Sequence, residues 1–317
     1  MTPSRNHDLT TSRRSLLAVA GGALAVPALG SSAGARSGAP RGALDLRWLG
    51  TTGWRFEHDG HVLLVDPYLS RFPTGLAAGS FDPATPLEVD EEACRLVPEA
   101  RTILVTHGHW DHFADVPHLA TRDGARVLGT LTTALLARSM GVPASMTATV
   151  RGGEQLDLGE YVVHVLPGLH SRNASWSVLF AGVHTSEPPR PRTIADLPEG
   201  DTLAFHVRPR SGPSVVVLGG SDVDDRALAG VRPDVVAAPV ASTDATHDYL
   251  PRLLEALDRP PVVVPTHWDD FESPLANPPR PATPSLARRL EEFEREVRRI
   301  SPRSRVVRPD YLEPLAL

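Results

Sequence analysis

Four metal-seeking side chains fall within six residues, at His107, His109, Asp111 and His112 of the segment THGHWDH. The apolar run 103–105 leads straight into it, so the four groups arrive at the end of a buried strand. Imidazole nitrogens with a carboxylate are the donor set of zinc and similar divalent ions, with Zn–N bonds of about 2.0–2.1 Å. Alternation along an extended chain predicts His107, His109 and Asp111 on one side, with a turn then bringing in His112. Three histidines and one aspartate are hard to explain as solvent-facing loop residues at this spacing. The segment is therefore read as a metal centre.

The N-terminus reads as an export signal. Arg13 and Arg14 precede an apolar run over 16–29, and Ala33-Gly34-Ala35 matches a small-residue cleavage site. The run is short and diluted by Gly and Pro, whereas a membrane span needs about 20 residues. A twin-arginine signal over 1–35 is expected, with a flexible lead-in over 36–43 and a single folded domain over 44–317. Mature protein is then extracellular or in the cell envelope, without stable membrane insertion. The net charge of -6 comes from Arg against Asp and Glu, because the 317 residues include no Lys. No basic stripe suggests a nucleic acid, and a small-molecule partner is expected. The single Cys94 excludes an internal disulfide framework and a cysteine-based zinc cluster.

The rest reads as short strands punctuated by Gly and Pro. Residues 44–49, 54–58 and 61–65 are strand-like, and Asp59-Gly60 is a hairpin turn signal. A long surface loop with a short helix near Glu91 is expected over 68–98. Helices are predicted over 113–120 and 131–140, with a short strand over 127–129 between them. A second half repeats the order, with strands expected over 154–156, 161–166, 177–181, 202–207, 214–218, 235–238 and 262–265. Helices are expected over 225–228, 247–257 and 285–300; in the last, Leu286, Leu290, Phe293, Val297 and Ile300 form one apolar stripe. Two halves of this kind suggest two packed sheets with helices outside.

The segment THGHWDH resembles the HxHxDH signature of the metallo-β-lactamase-fold superfamily, and the match runs from the opening strands through His267. The resemblance implies an α/β fold, an αββα four-layer sandwich. It also implies that His107 and His109 share one ion with a later histidine, best matched by His170 in VVHVLPGLHSR. Asp111 and His112 then share a second ion with His267 in VVVPTHWDDF. The family's bridging aspartate follows a glycine after a second-half strand. Here SVVVLGG is followed by Ser221 and Asp222, so a gapless match puts Ser221 in that place. Asp222 is the favoured bridging ligand, since a loop can absorb a one-residue shift. Ser221 in its stead leaves the second ion weaker or absent. Zn2+ is the expected ion, one or two per chain, with Mn2+ or iron as alternatives.

Asp66, ending HVLLVDP, either orients a ligand imidazole through its second N–H or caps a turn. The same orienting role is expected of one of Asp269 and Asp270, with Asp269 chosen. His58 and His61 flank the hairpin turn and are expected to be exposed. Trp110 and Trp268 could wall the pocket or pack in the core. The resemblance implies a hydrolase that uses metal-activated water on an ester, lactone, amide or phosphodiester bond, with Asp111 as catalytic as well as ligating residue. The opening WLGTTGWRFEHDGHVLLVDPYL is similar to the branch that includes lactonases and phospholipase-D-like hydrolases. A non-catalytic metal-binding protein with a degenerate second site is the main alternative, and an iron oxidoreductase the lesser one.

Overall fold

The turn at Asp59-Gly60 starts the fold, because both residues adopt positive φ (47° and 75°) and this twist suits a two-residue hairpin. It joins β2 (Gly53–His58) to β3 (His61–Val65), and β1 (Asp45–Gly50) pairs antiparallel with β2. From β3 onward the sheet turns parallel, through β4 (Thr102–Leu104), β5 (Arg126–Gly129) and β6 (Thr147–Thr149). A computed structural model provides these coordinates, and it describes residues 42–243 and 245–317. The expected signal and most of the lead-in lie outside the described residues.

The second sheet mirrors this plan. Strands β7 (Gln155–Asp157), β8 (Tyr161–Pro167), β9 (Leu203–Pro209) and β10 (Val215–Leu218) are antiparallel. Strands β11 (Val235–Pro239), β12 (Val262–Thr266) and β13 (Arg305–Val306) continue in parallel from β10.

Side-chain alternation divides the first sheet between two cores. Leu63, Val65, Leu104 and Leu128 join the inner strands of the second sheet in one apolar cluster. Val62, Leu64, Ile103, Val105 and Val127 face the other way, against Phe113, Val116, Leu119 and Leu136. Those last four come from the helical side, which holds α1 (Glu91–Cys94), α2 (Trp110–Phe113), α3 (Val116–Asp123) and α4 (Leu131–Ser139). On the far side lie α5 (Asp225–Leu228), α6 (Tyr249–Ala256) and α7 (Pro284–Ile300), with Leu253, Leu290, Phe293 and Val297 buried against the second sheet. The four-layer αββα order predicted for the chain is thus present.

Some local expectations need correction. Residues 177–181 are not a strand; they belong to an irregular segment, and Leu179 turns its carbonyl toward His109. The helix expected over 113–120 is two helices, broken after Phe113, and the first begins earlier, at Trp110. The short strands β6 and β13 are additional to those the sequence pattern predicts. The C-terminal residues lie along β1, with Leu312 N donating to Trp48 O (2.9 Å) and Leu315 N to Leu46 O (2.8 Å).

Candidate metal centre

Strand ends deliver the site. His107 follows β4, His170 follows β8, His267 follows β12 and Asp66 follows β3, all at the same end of the sandwich. The early start of α2 corrects the alternation argument. Trp110 begins a helical turn, which sends Asp111 and His112 away from His107 and His109 into a second group. Gly108 permits the tight path between them, because a Cβ there would stand 2.3 Å from Pro198 O.

His107, His109 and His170 form the first group. Their hydrogen-bond partners fix the tautomers. His109 Nε2 meets Leu179 O at 2.6 Å and His170 Nδ1 meets Ser171 O at 2.7 Å; a carbonyl only accepts, so both nitrogens carry the proton. Thr106 Oγ1 spends its proton on Asp66 Oδ2 at 2.6 Å, so His107 Nδ1, 3.1 Å away, must donate to Thr106. Burial, reinforced by neighbouring histidines, holds all three imidazoles neutral. His107 falls well below its ordinary value, His109 to about 3 and His170 to about 4. The inward atoms His107 Nε2, His109 Nδ1 and His170 Nε2 are then bare. His109 Nδ1 lies 3.1 Å from each of the other two. Bonds of about 2.0–2.1 Å to a tetrahedral ion set donors roughly 3.3 Å apart, so the donor set fits a zinc-class ion.

Asp111, His112 and His267 form the second group. Asp111 Oδ2 lies 3.2 Å from His267 Nε2 and 3.7 Å from His112 Nε2. Burial pushes the Asp111 carboxyl up, but His112 and His267 outweigh it and leave the group well below the usual carboxylate range. Burial likewise lowers His112, yet Asp111 and Asp66 on its two sides leave it raised. The two groups adjoin, with the rings of His107 and His112 3.8 Å apart between centroids.

Asp66 orients rather than merely capping a turn. Its Oδ2 faces His112 Nδ1 at 2.8 Å and accepts from Thr52 Oγ1 at 2.8 Å, while Oδ1 accepts Thr106 N at 2.7 Å. Two threonines that sequence reasoning passed over, Thr52 and Thr106, thereby complete the scaffold. Thr106 lies inside the motif and could have been found there; Thr52 carries no local signal.

The structure does not bring Asp222 to either group: its carboxylate bonds Val223 N at 2.8 Å and pairs with Arg252 at 3.4 Å. Ser221 is not a replacement ligand, since its hydroxyl bonds Ser171 Oγ (2.8 Å) and Ala241 O (2.6 Å). Asp269 also stands apart from the ligand groups. It touches no ligand imidazole, and instead meets Arg71 at 2.6 Å, Tyr311 Oη at 2.9 Å and Thr51 N at 3.0 Å. Its influence is relayed through the backbone, for Thr51 O accepts His267 N at 2.9 Å. Asp270 caps a turn at Glu272 and Ser273. His267 Nδ1 is buried without a partner, and the residue sits at φ 54°, a conformation that costs about 1–3 kcal/mol outside glycine.

A cavity of about 280 Å3 opens on both groups, walled by Trp110, Leu179 and Phe271. Trp110 serves the pocket, whereas Trp268 stacks on Trp48 at 5.6 Å within the core. An adjoining chamber of about 370 Å3 shares His267 and Phe271 and is lined further by Leu76, Ala282 and Leu286.

A four-layer αββα sandwich with paired histidine-rich groups at one end defines the metallo-β-lactamase class. Residues 45–267 match the beta-lactamase superfamily domain, and the chain belongs to that family. It is 30% identical over 131 residues to a UPF0173 metal-dependent hydrolase of Pyrobaculum neutrophilum, covering 41% of this chain and 52% of that one. The chain thus spans about half the length of that curated relative. A UPF0173 metal-dependent hydrolase of Methanopyrus kandleri is 28% identical, over 80% of this chain and 90% of that one. The fold is also that of Igni18, a metallo hydrolase from Ignicoccus hospitalis, with TM-score 0.53, 18% identity and coverage of 86% and 96%. CmlA, a diiron β-hydroxylase from Streptomyces venezuelae, shares the fold with TM-score 0.55, 16% identity and coverage of 88% and 55%.

Proposed function

We propose that this chain is a metal-dependent hydrolase of small molecules, acting on an ester, lactone, amide or phosphodiester bond. The observation that carries the reading is the convergence of three unprotonated imidazole nitrogens beside an ionised carboxylate. His107, His109 and His170 would hold one ion; Asp111, His112 and His267 would hold a second, more weakly for want of a bridging carboxylate. Zn2+ suits this nitrogen-rich set best, with Mn2+ or iron as the other candidates. A divalent ion held by these residues would supply a water acidified to a pKa of about 7 and would polarise a substrate oxygen.

The chain's own residues do the rest. Asp111 stays ionised, so it can accept a hydrogen bond from the attacking water and fix its direction. Asp66 keeps the proton of His112 on Nδ1 and its inward nitrogen free. Trp110 and Phe271 narrow the cavity, and the apolar chamber beyond His267 would take the organic part of the substrate. The Arg13-Arg14 pair before an apolar run supports export by the twin-arginine route, and the substrate would then lie in the envelope or the medium. The test is turnover of ester, lactone and phosphodiester panels by zinc-loaded and chelator-treated protein. Activity that follows zinc supports the reading; loaded protein inert on every panel overturns it in favour of a binding role.

A further inference from the structure

His58 is 2% exposed, contrary to its expected place on the surface, and it lies at the opposite end of the sandwich from the metal centre. It closes β2 just before the Asp59-Gly60 turn. Glu160, which precedes β8 of the other sheet, comes across to meet it. The proton count at this imidazole is unusual. Ser211 Oγ donates its single proton to Gly42 O at 2.8 Å, so His58 Nε2, 2.9 Å from Ser211 Oγ, must be the donor in that contact. A neutral His58 therefore presents a bare Nδ1. That atom is buried, has no hydrogen-bond partner, and stands 3.4 Å from Glu160 Oε2. A lone pair and a carboxylate oxygen at this distance repel each other unless a proton or a metal cation lies between them. Asp59 brings a second carboxylate to the same point. The donor atoms of His58, Asp59 and Glu160 all lie within 4.8 Å of one another. Asp59 Oδ1 accepts Gly42 N at 3.1 Å, which leaves Oδ2 for a ligand.

We propose that His58, Asp59 and Glu160 form a separate divalent-cation site that clips the β2–β3 turn of one sheet to the start of β8 in the other. One imidazole nitrogen with two carboxylates suits zinc-class ions. Calcium and magnesium favour oxygen-only ligands. Asp59 and Glu160 are solvent-accessible and can close on an ion by side-chain rotation, while His58 is held in place by Ser211. The site lies at the opposite end of the sandwich from the metal centre, so its role is structural: it fastens both sheets to the segment at Gly42.

The test is zinc stoichiometry on full-length protein, stripped with chelator and re-equilibrated with Zn2+ at pH 7.5, compared with Glu160→Gln and His58→Gln. Each variant is expected to bind one equivalent fewer than the parent, with turnover at the main centre unchanged. Should His58→Gln fail to fold, Glu160→Gln decides alone, because its side chain lies at the surface. Equal zinc content in the parent and in folded Glu160→Gln overturns the site and leaves His58 and Glu160 joined by a proton.

Discussion

His109 Nδ1 lies 3.1 Å from His170 Nε2, and neither nitrogen carries a proton. The protein spends its outer hydrogen bonds, on Leu179 O and Ser171 O, to hold two lone pairs face to face. Such an arrangement is stable with a cation between them. His109→Ala and His170→Ala are therefore each expected to lose the first ion and to reduce turnover to background. Metal analysis on protein purified without added metal checks this, and full metal content in either variant would contradict it.

Asp66→Asn keeps the shape of the side chain but removes the charge that faces His112. Loss of an orienting group of this kind costs about 10–100-fold in metal affinity. Its buried partners Thr52 and Thr106 lose a charged acceptor, worth about 1.5–3 kcal/mol of stability. Competition with a chromophoric chelator measures the first effect, and urea unfolding the second.

Asp222→Ala separates two accounts of the centre. With its carboxylate turned to Arg252, the variant is expected to keep its metal content and turnover. It should lose at most about 1 kcal/mol from a partly exposed ion pair. A drop in metal stoichiometry would restore the bridging role.

Acid should destabilise chelator-treated protein. The unfolded chain takes up histidine protons near the ordinary value of 6.5, whereas folded His109 and His170 resist to about 3 and about 4. Between pH 6.5 and about 4 the unfolded state binds more protons, so stability falls as pH falls. His112, raised in the fold, acts in a different window: its contribution is fully present below 6.5 and is lost as pH rises through its raised value. The midpoint of urea unfolding should therefore decline steadily from pH 6.5 to 4. A flat profile would mean that these imidazoles are not held neutral.

Arg71 and Asp269 form a fully buried ion pair at 2.6 Å. Arg71→Ala strands the carboxylate beside Tyr311 and Thr51, and breaking a buried pair in this way costs about 3–5 kcal/mol. Because Thr51 O receives His267 N, the second ion should also be bound less tightly. Thermal unfolding and zinc titration read the two consequences.

Local signals made much of this legible. The motif beyond the apolar run 103–105 revealed four candidate ligands, and resemblance added His170 and His267 at strand ends. Strand periodicity and the Asp59-Gly60 turn set out the two sheets. What escaped depends on contacts far apart in the chain. The place of Asp222 is not legible locally, because one residue of register decides which way a loop carboxylate points, and its partner Arg252 lies thirty positions on. Asp269 looked like a neighbour of His267, but Arg71, which engages it, comes from a stretch without periodicity. Residues 177–181 are apolar enough for a buried strand yet pair with no strand among the described residues.

The C-terminal residues that run along β1 have a consequence for how this protein behaves in a crowded solution. An open outer strand is a template for another chain, and uncovered edges invite association. Here Leu312 and Leu315 donate to the carbonyls of Trp48 and Leu46, and Tyr311 stacks on Trp48 with ring centroids 4.9 Å apart. Removing residues 311–317 would unmask that edge and the indole behind it. Self-association should then appear as rising light scattering, even at temperatures where the three strand ends that carry the candidate ligands keep their places.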